Sequence, residues 1–261
     1  MLRRWCIPLA GLALAAGALA ASAPAAASSH PAGHTIHLIR PAMHGTAPMV
    51  GSGRTSQAAQ STNWSGFAAH SKKYNKISAS WVEPTAHCSG SGSQFSSFWV
   101  GLDGYNSRTV EQTGTEVDCR NGSPRYFGWY EMFPAFPVNF SNTVRPGDHF
   151  TGSVTFNGSG HFTLVLKDVT RGWSHTVHKT LSGAARSSAE VIAEAPSSSG
   201  GVLPLANFGT VHFSNSKVDG SKLGSANPTK IIMVNSSGRA KVSVSSLSNG
   251  TNFSVKWLHS N

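Results

Sequence analysis

The segment Phe150-Thr-Gly-Ser-Val-Thr-Phe156, followed after Asn157-Gly-Ser-Gly-His161 by Phe162-Thr-Leu-Val-Leu166, decides the fold class. Apolar and polar residues alternate with period two on both sides of a turn centred on Asn-Gly. Successive side chains of an extended chain point to opposite faces, so this spacing predicts two half-buried strands paired as a hairpin. The pattern returns at Val242 and Val244 and at Phe253, Val255 and Trp257, with Asp219-Gly220 and Asn249-Gly250 as further turns. Many strands at roughly ten-residue spacing imply an antiparallel sandwich or barrel. We take the all-β sandwich. Helix-period segments are almost absent. The best candidate, residues 184–195, has a Val191-Ile192 centre and is followed by Pro196, which fits a strand equally well.

Outward from the strands, the N-terminus reads as an address. Arg3 and Arg4 precede an apolar run from Ile7 to Ala20, and small-residue cleavage sites follow near Ala18-Leu-Ala20 or Ala25-Ala-Ala27. This is the layout of a secretory signal peptide, assigned to residues 1–27. Residues 28–61 are rich in Ala, Ser, Gly, Pro and His and cannot bury enough apolar surface to offset their ordering entropy, so they read as a flexible leader or propeptide. Its four histidines, His30, His34, His37 and His44, titrate near neutral pH; they form either an acid-triggered release device or a polar spacer. One domain, residues 62–261, follows.

Once the signal is gone, Cys88 and Cys119 remain. In an exported chain the expectation is one disulfide, with two buried free thiols as the alternative. A closed loop of about thirty residues would add roughly 3–4 kcal/mol. Four of the 21 basic residues precede residue 61 and all 11 acids follow it, leaving the domain 17 basic against 11 acidic residues. These charges are scattered singly apart from Lys72-Lys73, without the stripe of a nucleic-acid groove, and read as a solvated surface. A secreted monomer is expected, with no nucleic-acid partner and no membrane association after signal removal.

The chemistry is narrowed by what is missing. His175 and His178 lie on an alternating stretch that would turn them to opposite faces, so no metal site or cofactor is expected. A Gly-x-Ser-x-Gly elbow, a phosphate loop and a dinucleotide fingerprint are all absent. The carboxylates remain, and several sit in apolar company: Asp103 after Trp-Val-Gly-Leu, Glu131 between Tyr130 and Met132, Glu194 after Val-Ile-Ala. On a strand, Glu190 and Glu194 would share a face with Ile192. Burial raises a carboxyl's pKa and fits it for proton transfer in acid. The alternative is that residues such as Glu190 and Asp148 satisfy turn or backbone donors.

Five segments then carry a resemblance: Asn63-Trp-Ser-Gly66, Phe98-Trp-Val-Gly-Leu-Asp-Gly-Tyr-Asn106, Val110-Glu-Gln-Thr-Gly114, Trp129-Tyr-Glu-Met-Phe-Pro134 and Ser188-Ala-Glu-Val-Ile-Ala-Glu194. In composition and order they resemble the glutamic peptidases, or eqolisins, in which a glutamine and a glutamate activate water to cut peptide bonds in acid, insensitive to pepstatin. The resemblance implies a double-sheet sandwich of the concanavalin-like or jelly-roll-like kind, with catalytic Gln112 and Glu194. It places Trp64, Trp99, Asp103, Glu116, Glu131 and Glu190 around a cleft for protein or peptide substrates. Val191 and Ala195 depart from residues common in the family, and the fungal disulfide cysteines are not reproduced, which fits a bacterial branch with its own disulfide. Two rival readings are a sugar-binding sandwich using Trp64, Trp81, Trp99 and Trp129, and a glycosidase using two carboxylates. A lectin needs no Gln112, and a glycosidase needs no glutamine at all.

Overall fold

The computed structural model describes residues 49–52 and 58–260. The signal peptide and the four leader histidines lie outside the described residues. Nearly all regular structure is β, the exception being one 3-10 turn at Leu223–Ala226. The ambiguous 184–195 segment contains the strand Ala189–Glu194, as its β-branched centre allows.

Two large sheets form a sandwich. The first runs Met49–Ser52, Ala59–Ser61, Thr229–Met233, Trp64–Ala69, Ala189–Glu194, Ser93–Leu102, Val110–Arg120, Ser123–Phe133, Val138–Asn139. All pairs in it are antiparallel except Ala59–Ser61 beside Thr229–Met233. The second runs Trp173–Thr180, His161–Asp168, His149–Gly158, Lys76–Val82, Thr210–Val218, Phe253–Trp257, Val242–Val244, with Ser221–Lys222 added alongside Thr210–Val218. The hairpin that opened the sequence reading pairs Leu164 with Val154 and Phe162 with Phe156.

The first sheet also takes in strands that precede residue 62. Ala59–Ser61 is a strand of the first sheet, and Met49–Ser52 pairs with it. Such short edge strands are held by backbone hydrogen bonds and need no apolar signature, so composition could not reveal them.

Period-two alternation explains the core. Phe98, Val100 and Leu102, Val117 and Cys119, Val191 and Ala193 point from the first sheet onto Ile77, Trp81, Phe150, Val154, Leu164, Leu166, Phe213 and Val255 of the second. The opposite face of the first sheet is also apolar at its centre, where Trp64, Trp99, Val110, Trp129, Ile192 and Ile231 cluster. This sheet is therefore buried on both faces, which is why Phe95 to Leu102 reads as a run rather than an alternation. Cys88 and Cys119 are disulfide-bonded, tying the segment before Ser93–Leu102 to the end of Val110–Arg120.

Candidate active site

The outer face of the first sheet can be read as three rows of cross-strand partners. One row holds Trp64, Glu194, Ser97, Glu116 and Phe127; the next holds Ile231, Gly66, Ile192, Trp99, Gly114 and Trp129; the third holds Ala68, Glu190, Gly101, Gln112 and Glu131. The central strand thus offers Ser97, Trp99 and Gly101, a large indole between two small residues. Glu194 and Glu116 flank Ser97 on the two neighbouring strands, and Glu190 and Gln112 flank Gly101. A Cβ at Gly101 would come within 2.9 Å of the Trp99 ring and 3.1 Å of the Gln112 Cβ, so this position takes glycine for want of space.

Glu194 is fully buried, and N–H donors reach both its oxygens. Trp99 Nε1 donates to Oε2 at 2.7 Å and Asn63 Nδ2 to Oε1 at 3.1 Å. The Trp99 ring is steadied edge-on by Trp64, with centroids 4.9 Å apart at 76°. Gln112, also buried, donates from Nε2 to Glu131 Oε2 at 2.8 Å. An amide nitrogen carries two N–H groups, and the Glu131 contact fixes the plane in which the other lies.

Other carboxyls near this face are pushed toward the protonated form. Burial pushes Glu190 well above the usual carboxylate range; a Ser188 hydrogen bond opposes this, and the charges of Asp103 and Glu111 add to it. Glu116 is likewise raised by burial first, then by Asp118, Glu194 and Glu131. Glu111 is pushed up to about 9 by burial, with Asp103 adding. In acid these three carry protons.

Gln112, Glu194, Trp64, Trp99, Glu116, Glu131 and Glu190 therefore meet on one sheet face. Asp103 lies just past the end of Ser93–Leu102, close enough for its charge to act on Glu190 and Glu111. Its carboxylate is taken up by five hydrogen bonds, from the backbone N–H groups of Arg186 (2.6 Å) and Ser187 (2.7 Å) and the hydroxyls of Ser187, Ser107 and Thr109. With φ +71°, Asp103 caps the end of Ser93–Leu102 and clamps two loops together. These loop donors on 107–109 and 186–187 were invisible to strand parity. Asp148 is similarly occupied, by Arg145 N–H and Arg171 Nε at 2.7 and 2.6 Å. Sequence reasoning quoted Asn63 but gave it no role; its contact with Glu194 spans 131 positions. Among the described residues, no group of three or more His, Cys, Asp or Glu side chains is placed to hold a metal ion, and no helix is long and apolar enough to cross a membrane.

Buried carboxyl groups and the amide of Gln112, gathered on one face of a β-sandwich, mark a candidate active site. The comparisons agree: the peptidase A4 family matches residues 62–257, and the chain belongs to that family. It is 27% identical over 200 residues to aspergillopepsin-2 of Aspergillus niger, covering 67% of this chain and 71% of the relative. Scytalido-glutamic peptidase, solved with a transition-state analogue inhibitor, superposes with a TM-score of 0.66 at 25% identity, over 76% of this chain and 98% of that one. Aspergilloglutamic peptidase of Aspergillus niger gives 0.57 at 26% identity, over 63% and 99%. This protein is a glutamic endopeptidase. Both rival readings fall with that assignment.

Proposed function

We propose that this face hydrolyses peptide bonds of proteins and peptides in acid, with Glu194 as general base and Gln112 as oxyanion donor. The observation that carries the reading is the pair of N–H donors on the two oxygens of Glu194, on the same face as Gln112. Two such donors hold the carboxyl group in one orientation. Ionised Glu194 takes a proton from a water molecule, and the water oxygen bonds to the scissile carbonyl carbon. The Gln112 amide donates to the oxygen that becomes negative. As the tetrahedral species collapses, the C–N bond breaks and Glu194 returns its proton to the leaving amine.

Glu190 shares a row with Gln112 and is the competing base. Its burial keeps it protonated in acid, where a base must be ionised, so it serves as a neutral neighbour. An amide in place of a second catalytic carboxyl cannot titrate away at low pH and removes the acid pair that pepstatin-sensitive enzymes present. The chain is read as a secreted precursor and a monomer. Trimming that keeps Ser61 and its bond to Asn63 falls before Ala59, since Ser61 pairs with Met233 in the site sheet.

Gln112→Ala should lower kcat about 100- to 1000-fold, the usual loss for one oxyanion donor. Glu190→Gln, a neutral-for-neutral exchange, should keep most of the activity. Peptide hydrolysis measured near pH 3–4, within the ordinary carboxyl range, separates the two. A dead Glu190→Gln enzyme beside a working Glu194→Gln enzyme would reassign the base.

A further inference from the structure

Upstream of the strand Trp64–Ala69, three residues form a directed chain of hydrogen bonds that ends on Glu194. Ser61 Oγ receives the backbone N–H of Trp64 at 3.1 Å and that of Asn63 at 3.3 Å. Its acceptor capacity is used by the main chain, so its own proton is free to go to the Asn63 side chain, whose Oδ1 lies 3.0 Å away. That contact assigns the oxygen end of the Asn63 amide to Ser61. The nitrogen end is thereby turned toward Glu194, 3.1 Å from Oε1. The amide cannot flip without setting its NH₂ against a hydroxyl already loaded with two donors and its oxygen against a carboxylate.

The backbone locks the same junction. Ala195 N–H donates to the Asn63 carbonyl at 2.9 Å, immediately after Glu194. Ser61 and Asn63 are buried at 0% and 1% exposure, so neither competes with solvent for these contacts. Trp99 holds the other oxygen of Glu194 from the neighbouring strand. The carboxylate is thus held from two sides, by Asn63 from the turn before Trp64–Ala69 and by Trp99 from Ser93–Leu102.

We infer that Asn63, oriented by Ser61, is a positioning residue that fixes the Glu194 carboxylate in the rotamer needed to take a proton from water. The inference rests on the proposed role of Glu194 as base. It adds a requirement of its own: the N–H donor at residue 63 acts on the chemical step and leaves substrate binding alone. The titratable groups facing Glu194 from the surrounding elements are Glu116 and Asp118 of Val110–Arg120, Glu131 of Ser123–Phe133, and Glu190 of its own strand. Ser93–Leu102 offers Ser97, Trp99 and Gly101 to this face, none of which titrates.

The test compares Asn63→Leu, Asn63→Asp and Ser61→Ala with wild type and Glu194→Gln, as matured enzyme on one peptide substrate across about pH 3 to 6, the span around the ordinary carboxyl range. Asn63→Leu keeps the volume but has no donor; a misplaced catalytic group costs on the order of 100-fold, so kcat should fall by about that factor with KM nearly unchanged. Asn63→Asp keeps the shape and the Ser61 bond, and its carboxyl can donate to Glu194 only while protonated. Its deficit should therefore be small at the acid end and grow as pH rises, whereas that of Asn63→Leu should stay constant. Ser61→Ala should give a smaller kcat loss in the same direction, and melting curves check that each variant is folded. A plain packing role would give equal, pH-independent deficits in both Asn63 variants, and that result overturns the inference, as does a loss confined to KM. An inactive Glu194→Gln beside fully active Asn63 variants removes only the positioning role. An active Glu194→Gln removes that role and the catalytic reading together.

Discussion

Trp99 combines two tasks that a sequence shows only as one aromatic letter. Its ring divides the polar rows of the site face, and its Nε1–H holds Glu194 at 2.7 Å. Trp99→Phe keeps most of the ring packing and removes that donor. Hydrogen bonds to charged groups are worth about 1.5–3 kcal/mol, so kcat is expected to fall at least about tenfold with KM near wild type, and the melting temperature to fall by several degrees. An unchanged kcat, measured on a peptide substrate, would mean the indole is only packing. Gln112, Glu194 and their aromatic neighbours were legible because strand parity and the ordered motifs agree on one face. The bracing bonds of Asp103 were not legible. A carboxylate in apolar company looks alike whether it meets substrate or caps a turn, and only the structure shows the loop donors from Arg186 and Ser187.

The strands His149–Gly158, His161–Asp168 and Phe253–Trp257 were legible as elements because one face of each is apolar and the other polar. The segment 184–195 was ambiguous because its face and back are both buried, which erases period two. Ala59–Ser61 was missed because three residues joined by main-chain bonds carry no pattern at all. At this scale the central strand makes a specific demand, a residue without a side chain at Gly101. Gly101→Ala places a methyl against the Trp99 ring and Gln112. Overpacking usually costs about 1–3 kcal/mol, and a shift of Gln112 should reduce kcat more than the melting temperature falls; calorimetry beside kinetics reads both. Cutting the Cys88–Cys119 link with Cys88→Ser should lower stability by roughly 3–4 kcal/mol, from the loop it closes. Denaturant unfolding measures that loss.

The whole molecule stores several protonated carboxyls, and this sets how its stability depends on pH. Glu83, buried at the sandwich interior, is pushed up to about 8 from an ordinary 4.5, chiefly by burial, with the Thr115 hydroxyl opposing and the charge of Asp148 adding. Glu111 reaches about 9, and Glu116 and Glu190 are raised as well. Below about pH 4.5 both folded and unfolded chains hold these protons. As pH rises further, the unfolded chain releases them while the folded chain must keep them, so stability falls up to the folded values near 8 and 9. Each unit of displacement is worth about 1.4 kcal/mol. Lys241, lowered by burial from 10.5 to about 8, acts the opposite way, but only above that window. Melting temperature is therefore expected to be highest in acid and to drop toward neutrality, with Glu83→Gln flattening the drop; a flat wild-type profile from pH 4 to 8 would contradict this. A fold that favours acid suits a site whose neighbouring carboxyls work as neutral groups. The measurement that bears hardest on the whole reading is digestion of a protein substrate from pH 2 to 8, with pepstatin present, by the matured chain and by its Glu194→Gln variant. Cleavage confined to acid, resistant to pepstatin and abolished in the variant is the expected result. Cleavage that survives in a folded Glu194→Gln protein, or none by the wild type at any pH, would contradict it.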